Sequence, residues 1–503
     1  MKKISFGLLL CSVFLCTTSC SLEYKPIDPL ETHIDVVEDG YYRNSEYSES
    51  YENIYLQKPK ALDESLTSQM YYKFRYLPST GNQKILVIPV EFSDYPVSSL
   101  KGGEKGSLKY IEDAFFGHPS QTFFESVASY YNKSSYGHLT LEGKVSSWFK
   151  IGKTSFEVKN ESVYQIESQH VLQKAVEWYR KNYDDIDEFD QNNDGYIDAV
   201  WLVYSAPQNN EDDFLWAHTY YDHSNSYTTR PYASMYSWAS YNFMFYQTSK
   251  PETHVFIHET GHLLGLKDYY STDISNKYAP TAYFDMMDTN IGDHNAFSKM
   301  LLNWTTPYVI TDECEITIKS FTESGECILI SPSWNGSAMD EYLLLEYYTP
   351  TNLHKADSKI GWQYQNLKAS GLRVYHVDAR IGFIRNFGGN MDGYLGKIDP
   401  DDLVQPIATY HLDFANTNTT SSTIKVDEKP NYLLKLLRAK EYEKEGTPAD
   451  EDLLFKVGDN FTNRLNDEKV PFEFNSLGDV PFTFEVIDMN NKEITIKFET
   501  VRK

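Results

Sequence analysis

The near-continuous apolar runs from Lys84 to Phe92 and from Val200 to Tyr204 read as strands buried on both faces. Pro89 has no N–H to give a ladder, so it points to an edge position or a bulge in the first run. Apolar residues spaced by three and four predict helices from Phe123 to Asn132 and from about Val163 to Lys181. Ser135-Tyr136-Gly137-His138 stops the first helix, and Leu139 to Val145 returns as a strand. A last helix of this half is expected from Ala296 to Trp304. Beyond it the pattern is β-like. Glu315 to Lys319 and Ile328 to Ile330 flank a Ser324-Gly325 turn, and Glu493 to Phe498 reads as the final strand.

Before residue 82 the pattern is weak. Residues 21–81 are polar, acidic and Tyr-rich, and read as a tether or prosegment. The alternation that follows predicts an α/β (α+β) domain over residues 82–305, with a β-rich, sandwich-like domain over 306–503. No internal repeat is visible.

Composition narrows the class. A chain of 503 residues with 41% hydrophobic and 15% aromatic residues is globular and long enough for two or three domains. A formal net charge of -26 argues against nucleic acid and anionic membrane surfaces as partners. Met1-Lys2-Lys3 followed by the apolar stretch Ile4 to Leu15 makes residues 1–20 an export signal. The small residues before Cys20 resemble a bacterial lipobox, in which that cysteine carries the lipid. Thr17 stands where Leu is expected, so cleavage after Ser19 competes with lipidation. No later stretch is apolar for long enough to span a membrane. The expectation is a bacterial protein exported to the cell surface or the medium, with membrane contact only through such an anchor. Outside the signal only Cys314 and Cys327 remain, readable as a cross-strand disulfide or as two thiols.

The densest chemistry lies in His258-Glu259-Thr260-Gly261-His262-Leu263-Leu264-Gly265-Leu266-Lys267-Asp268, an HExxHxxGxxD pattern. On a helix His258 and His262 leave the same face and can share one zinc ion, with Glu259 beside them as general base toward a zinc-bound water. Gly265 lets the chain turn back, so that Asp268 can supply a third ligand and leave the fourth position open. Asp190-Gln191-Asn192-Asn193-Asp194-Gly195-Tyr196-Ile197-Asp198 matches the first nine positions of a calcium loop, with ligands from Asp190, Asn192, Asp194, Tyr196 and Asp198. Trp201 holds position twelve, so this is no EF-hand and a structural calcium must draw a further ligand from elsewhere. Downstream, Met287 or Met286 in Tyr283-Phe284-Asp285-Met286-Met287-Asp288 is the candidate apolar floor of a Met-turn, Met287 being favoured.

Taken together, these residues resemble the immune inhibitor A family of secreted bacterial zinc metallopeptidases. The resemblance runs over roughly residues 82–500. It includes the strand from Lys84 to Asp94, Ser129-Tyr130-Tyr131 with Ser135-Tyr136-Gly137, the Asp-rich loop, and Phe284-Asp285-Met286-Met287. Lys299 to Trp304 is similar to the family's closing stretch, with Asn303 for its Gly; Glu341 to Glu346 and Gly371 to Asp378 resemble strands of its second domain. The resemblance implies a zincin-like catalytic domain cutting extracellular proteins, with His258, His262 and Asp268 as zinc ligands and Glu259 as base. Lys267 departs from the Pro that the family tends to place before that Asp. His376 and Asp378 are candidates for the domain interface or the cleft, as is His218; Tyr269 and Tyr270 are candidate oxyanion donors. A weak or latent zincin acting as a calcium-dependent surface adhesion or glycan-binding protein is the alternative. A zinc hydrolase of non-peptide substrates is a third reading.

Overall fold

Ile85, Leu86, Val87, Ile88 and Val90 are all fully buried, because successive side chains of one strand face two different cores. The computed structural model describes residues 76–161, 167–222, 229–245, 248–272, 277–334, 338, 340–360, 367–379, 429–475 and 478–502, together with 34–38, 40–43, 383–386, 391–393, 410–413, 417–419 and 424–426. The export signal, Cys20 and most of the expected tether lie outside these residues.

A hairpin of β1 (Ile34–Glu38) and β2 (Tyr41–Arg43) precedes the long strand β3 (Gly81–Glu91). Then come α1 (Gly103–Phe116), α2 (Val127–Ser134), β4 (Leu139–Val145), α3 (Glu167–Asn182), β5 (Val200–Tyr204), β6 (His218–Tyr221), β7 (Met235–Ser240), α4 (His254–Leu263) and α5 (Ala296–Leu301). The strands run β4-β3-β5-β7-β6 in one sheet, parallel except for β6, which is antiparallel to β7. Residues of α1, α2 and α4 pack on one face and those of α3 on the other, giving a mixed α/β layering. Among the described residues no helix is long and apolar enough to cross a membrane.

Several expectations shift. The first predicted helix begins later, at Val127, because Ser126 caps it and exchanges hydrogen bonds with Ser129. Pro89 sits in an interior strand and makes no bulge. One neighbour stops opposite Val87 and the short strand Phe149–Lys150 resumes opposite Val90, so no ladder partner faces Pro89 on that side. Helix α1 had no counterpart in the apolar pattern. Leu108, Ile111, Ala114 and Phe115 do carry a helical spacing, but Gly102, Gly103 and Gly106 break up its start.

The second half contributes β8 (Tyr308–Ile310), β9 (Cys314–Lys319), β10 (Cys327–Ile330), β11 (Glu341–Tyr348), β12 (Gly371–Asp378), β13 (Leu434–Leu437), β14 (Phe482–Met489) and β15 (Glu493–Thr500). A seven-stranded sheet has the order β1-β2-β8-β10-β11-β12-β13, and a three-stranded sheet the order β9-β15-β14. Ile328, Leu343, Leu345 and Val374 of the first share a core with Ile316, Ile318, Phe484 and Ile496 of the second. The other face of the seven-stranded sheet, through Leu329, Leu344 and Tyr375, joins the same hydrophobic cluster as α2 and α4.

Two corrections follow from this topology. Cys314 and Cys327 lie on strands of different sheets and no disulfide joins them. The stretch 21–81 is not patternless throughout. Tyr41 and Tyr42 pair with Ile310 and Val309, and the Gly40 carbonyl accepts from the amides of Thr311 and Asp312. A side chain at Gly40 would press within 2.9 Å of the Asp312 carbonyl oxygen, which explains glycine at this turn.

Candidate metal centre

Phe256, Ile257 and Leu263 bury α4 against the sheet, and Gly265 ends it. Gly265 adopts φ +99, and the Leu266 amide returns to the Gly261 carbonyl at 3.0 Å, closing the helix in the way glycine permits. The reversal carries Asp268 back under the helix face that holds both histidines. His258 Nε2 and His262 Nε2 stand 3.1 and 3.2 Å from the same oxygen, Asp268 Oδ1.

These distances test the fit to zinc. A tetrahedral ion with bonds of about 2.0–2.1 Å spaces its ligand atoms about 3.3 Å apart, close to the observed spacing. The other ring nitrogens agree. His258 Nδ1 lies 2.8 Å from the Met286 carbonyl and His262 Nδ1 lies 2.8 Å from the Leu266 carbonyl, so each donates there and turns an Nε2 lone pair inward. His258, His262 and Asp268 fit the ion.

Electrostatics bind the trio together. Burial works to lower the His262 value, but the Asp268 charge overrides it and raises it to about 9. Burial also opposes ionisation of Asp268, and the two imidazoles hold it well below the usual carboxylate range. Glu259, buried beside them, is raised by burial, while both histidines and a hydrogen bond from Thr219 pull it back.

Both methionines are buried beneath the helix. Met286 supplies the carbonyl for His258, and the Met287 carbonyl accepts from the Tyr269 amide at 2.8 Å. The Met287 sulfur lies where a Cβ on Gly261 would be, 2.5 Å from it. Asp285 holds this loop by accepting from the Met287 amide and from Asn295 Nδ2 at 2.8 and 2.6 Å.

The centre opens into a cleft of about 600 Å³ walled by Trp216, Tyr220, Tyr221, Phe243 and Tyr270. Its rim strand β6 has β7 on one side and, among the described residues, no strand on the other. The two tyrosines after Asp268 part company. Tyr270 lines the cleft beside Asp268, where burial and then the Asp268 charge raise its hydroxyl pKa, whereas the Tyr269 hydroxyl is buried against Ser298 Oγ at 2.7 Å. His218 also lines the cleft; burial lowers it to about 4, and Ser168 Oγ lies 2.8 Å from its Nε2. His376 and Asp378 are elsewhere, on β12, where His376 meets Glu341 at 2.8 Å and Asp378 accepts from Asn475 at 2.8 Å.

The Asp-rich loop folds around its own amides. Asp190 accepts from Asp194 and Gly195, Asn192 from Asp194, Asp194 from Tyr196, and Asp198 from Gln191. Burial, with the charges of Asp194 and Asp190, raises Asp198 to about 6. The Tyr196 side chain turns away to pack on Tyr232 and Arg230.

The sequence that builds this site is similar to known proteins. Residues 73–293 match the family described as immune inhibitor A peptidase M6, catalytic domain. Over these residues the chain is similar to the immune inhibitor A peptidases. Immune inhibitor A of Bacillus thuringiensis subsp. alesti is 24% identical over 254 residues, which cover 42% of this chain and 37% of that protein. The matched stretch thus spans little more than a third of the relative's length. The matched residues include the strand β3, the Asp-rich loop and the HExxH helix, all of which the sequence had singled out.

Other cleft residues carried no such mark. Tyr76, Phe243 and Asp288 line the cleft from three separate segments. Thr219 is brought to Glu259 only by the placement of β6 beside α4, 40 residues away in the chain.

Proposed function

We propose that this protein is a zinc-dependent metalloendopeptidase that hydrolyses extracellular proteins. The observation that carries the reading is the convergence of His258, His262 and Asp268 on one point, with Glu259 alongside and a cleft above. Zinc bound there polarises the scissile carbonyl and lowers the pKa of water. Glu259 takes the proton from the attacking water and passes it to the leaving amine, a task for which burial makes its carboxylate more basic. Tyr270 offers a hydroxyl beside Asp268 for the developing oxyanion. The β6 edge offers backbone groups to an extended peptide, and the aromatic wall receives its apolar side chains.

In the same reading Asp190, Asn192, Asp194, the Tyr196 carbonyl and Asp198 hold a structural calcium ion. Residues 82–305 carry the catalysis and 306–503 brace it. The protein is exported, by lipidation at Cys20 or by cleavage after Ser19.

The test is casein cleavage by residues 21–503 with zinc and calcium, against the Glu259→Gln form, with metal content measured on both. Loss of cleavage in the variant with one zinc retained supports the reading. Equal cleavage by both proteins sinks it. Chelating calcium at fixed zinc is expected to lower the melting temperature; an unchanged melting curve would remove calcium from the account.

A further inference from the structure

Glu259 is held by more than its helix. Thr219 Oγ1 lies 2.9 Å from Glu259 Oε2 and 2.9 Å from the Glu259 carbonyl oxygen. Ser237 Oγ lies 2.7 Å from Thr219 Oγ1 and 3.3 Å from the same carbonyl. Thr219 and Ser237 are register partners on β6 and β7, so the two hydroxyls meet across one rung of the sheet. Each hydroxyl has one proton to give. Ser237 spends its proton on the Thr219 oxygen or on the backbone carbonyl. When Ser237 serves the carbonyl, the Thr219 proton is left for the Glu259 carboxylate, which as a charged acceptor is also the stronger of its two partners. A carboxylate on a long side chain with three rotatable bonds would otherwise be free to swing in the cleft.

We propose that Thr219, backed by Ser237, is a positioning residue that fixes the Glu259 carboxylate for proton transfer. This rests on the reading of Glu259 as general base. The hydroxyl does not touch the reacting atoms; it acts through Glu259. Position matters because proton transfer requires the base within hydrogen-bond reach of the attacking water. Threonine suits the place twice, as a strand former and as a donor, and valine keeps its shape without the proton.

The experiment compares Thr219→Val and Thr219→Ser with the parent and Glu259→Gln. It measures kcat and KM on a peptide, zinc content, and a crystal structure of each zinc-free protein. Thr219→Val is expected to lose about tenfold or more in kcat, the scale of one hydrogen bond to a charged group. KM should stay within about twofold. Zinc should remain at one per chain, Thr219→Ser should stay near the parent, and the Glu259 carboxylate should leave its place only in Thr219→Val. Ser237→Ala should show a smaller fall of the same kind.

Parental kcat in Thr219→Val, or Glu259 undisplaced there, overturns the proposal. So does a Thr219→Ser loss as deep as that of valine, or a loss that tracks zinc. If the parent itself cleaves nothing, the peptidase reading fails. The crystal comparison then still decides whether Thr219 sets the carboxylate.

Discussion

A methyl group added at Gly261 would come 2.5 Å from the Met287 sulfur and 3.3 Å from the Tyr131 hydroxyl oxygen. Inside a helix alanine normally gains about 1 kcal/mol over glycine. Here overpacking wins, because Met287 is fully buried and has little room to yield. Gly261→Ala is therefore expected to destabilise the protein by roughly 1–3 kcal/mol in urea unfolding. Adding Met287→Ala should recover part of that loss; additive losses would mean the two residues are not in contact. At this scale the sequence is legible where function is local. His258, Glu259, His262 and Asp268 could be read directly, since a helix and one glycine turn set their geometry. Thr219 could not, because its meeting with Glu259 depends on which strand lies beside the helix.

Helix α4 begins under an unusual load. Glu252, just ahead of it, is 1% exposed, and burial raises its carboxyl to about 7 while the amides of His254 and Thr253 pull it down. A folded-state value above the ordinary 4.5 means that the folded protein holds the proton more tightly. That stabilisation is fully present below about pH 4.5 and is lost as pH rises through about 7. Glu252→Gln should thus stabilise the protein at pH 8 by on the order of 1–3 kcal/mol and change it little at pH 4.5. Melting curves at the two pH values check this; an equal shift at both would assign the effect to packing. Element by element, β3 and β5 were readable because both their faces are buried, and β15 because buried and open positions alternate along it. Helix α1 was not, since its glycines interrupt the pattern that its buried residues carry.

Across the whole molecule Glu346, buried and paired with Arg373 inside the second half, joins that half to the first. Glu346 accepts from the Ala296 amide at 2.8 Å, at the start of α5, and Lys299 of the same helix meets Asp293 at 2.7 Å with both side chains fully buried. Asp357 packs against Gly292 and accepts from Asn290, just past the methionines. Arg373→Met breaks the pair and leaves Glu346 buried alone, which should cost about 3–5 kcal/mol in chemical denaturation. A chain ending at residue 305 is expected to be insoluble or unfolded by circular dichroism; a soluble, zinc-binding fragment would show that the brace is dispensable. Strand content in this half was legible from alternation, but sheet membership was not. The Ser324-Gly325 turn is legible in the sequence, but it closes a short helix, Phe321–Ser324, and β9 and β10 pair in different sheets.

That brace also bears on how such a protein can change over generations. The family-matched stretch ends at residue 293, between Asn290, which donates to Asp357, and Ala296, whose amide donates to Glu346 of β11. A fusion or duplication carrying only the matched stretch would inherit both histidines and leave their support behind. On this architecture the metal centre travels intact only with the sheet that it leans on.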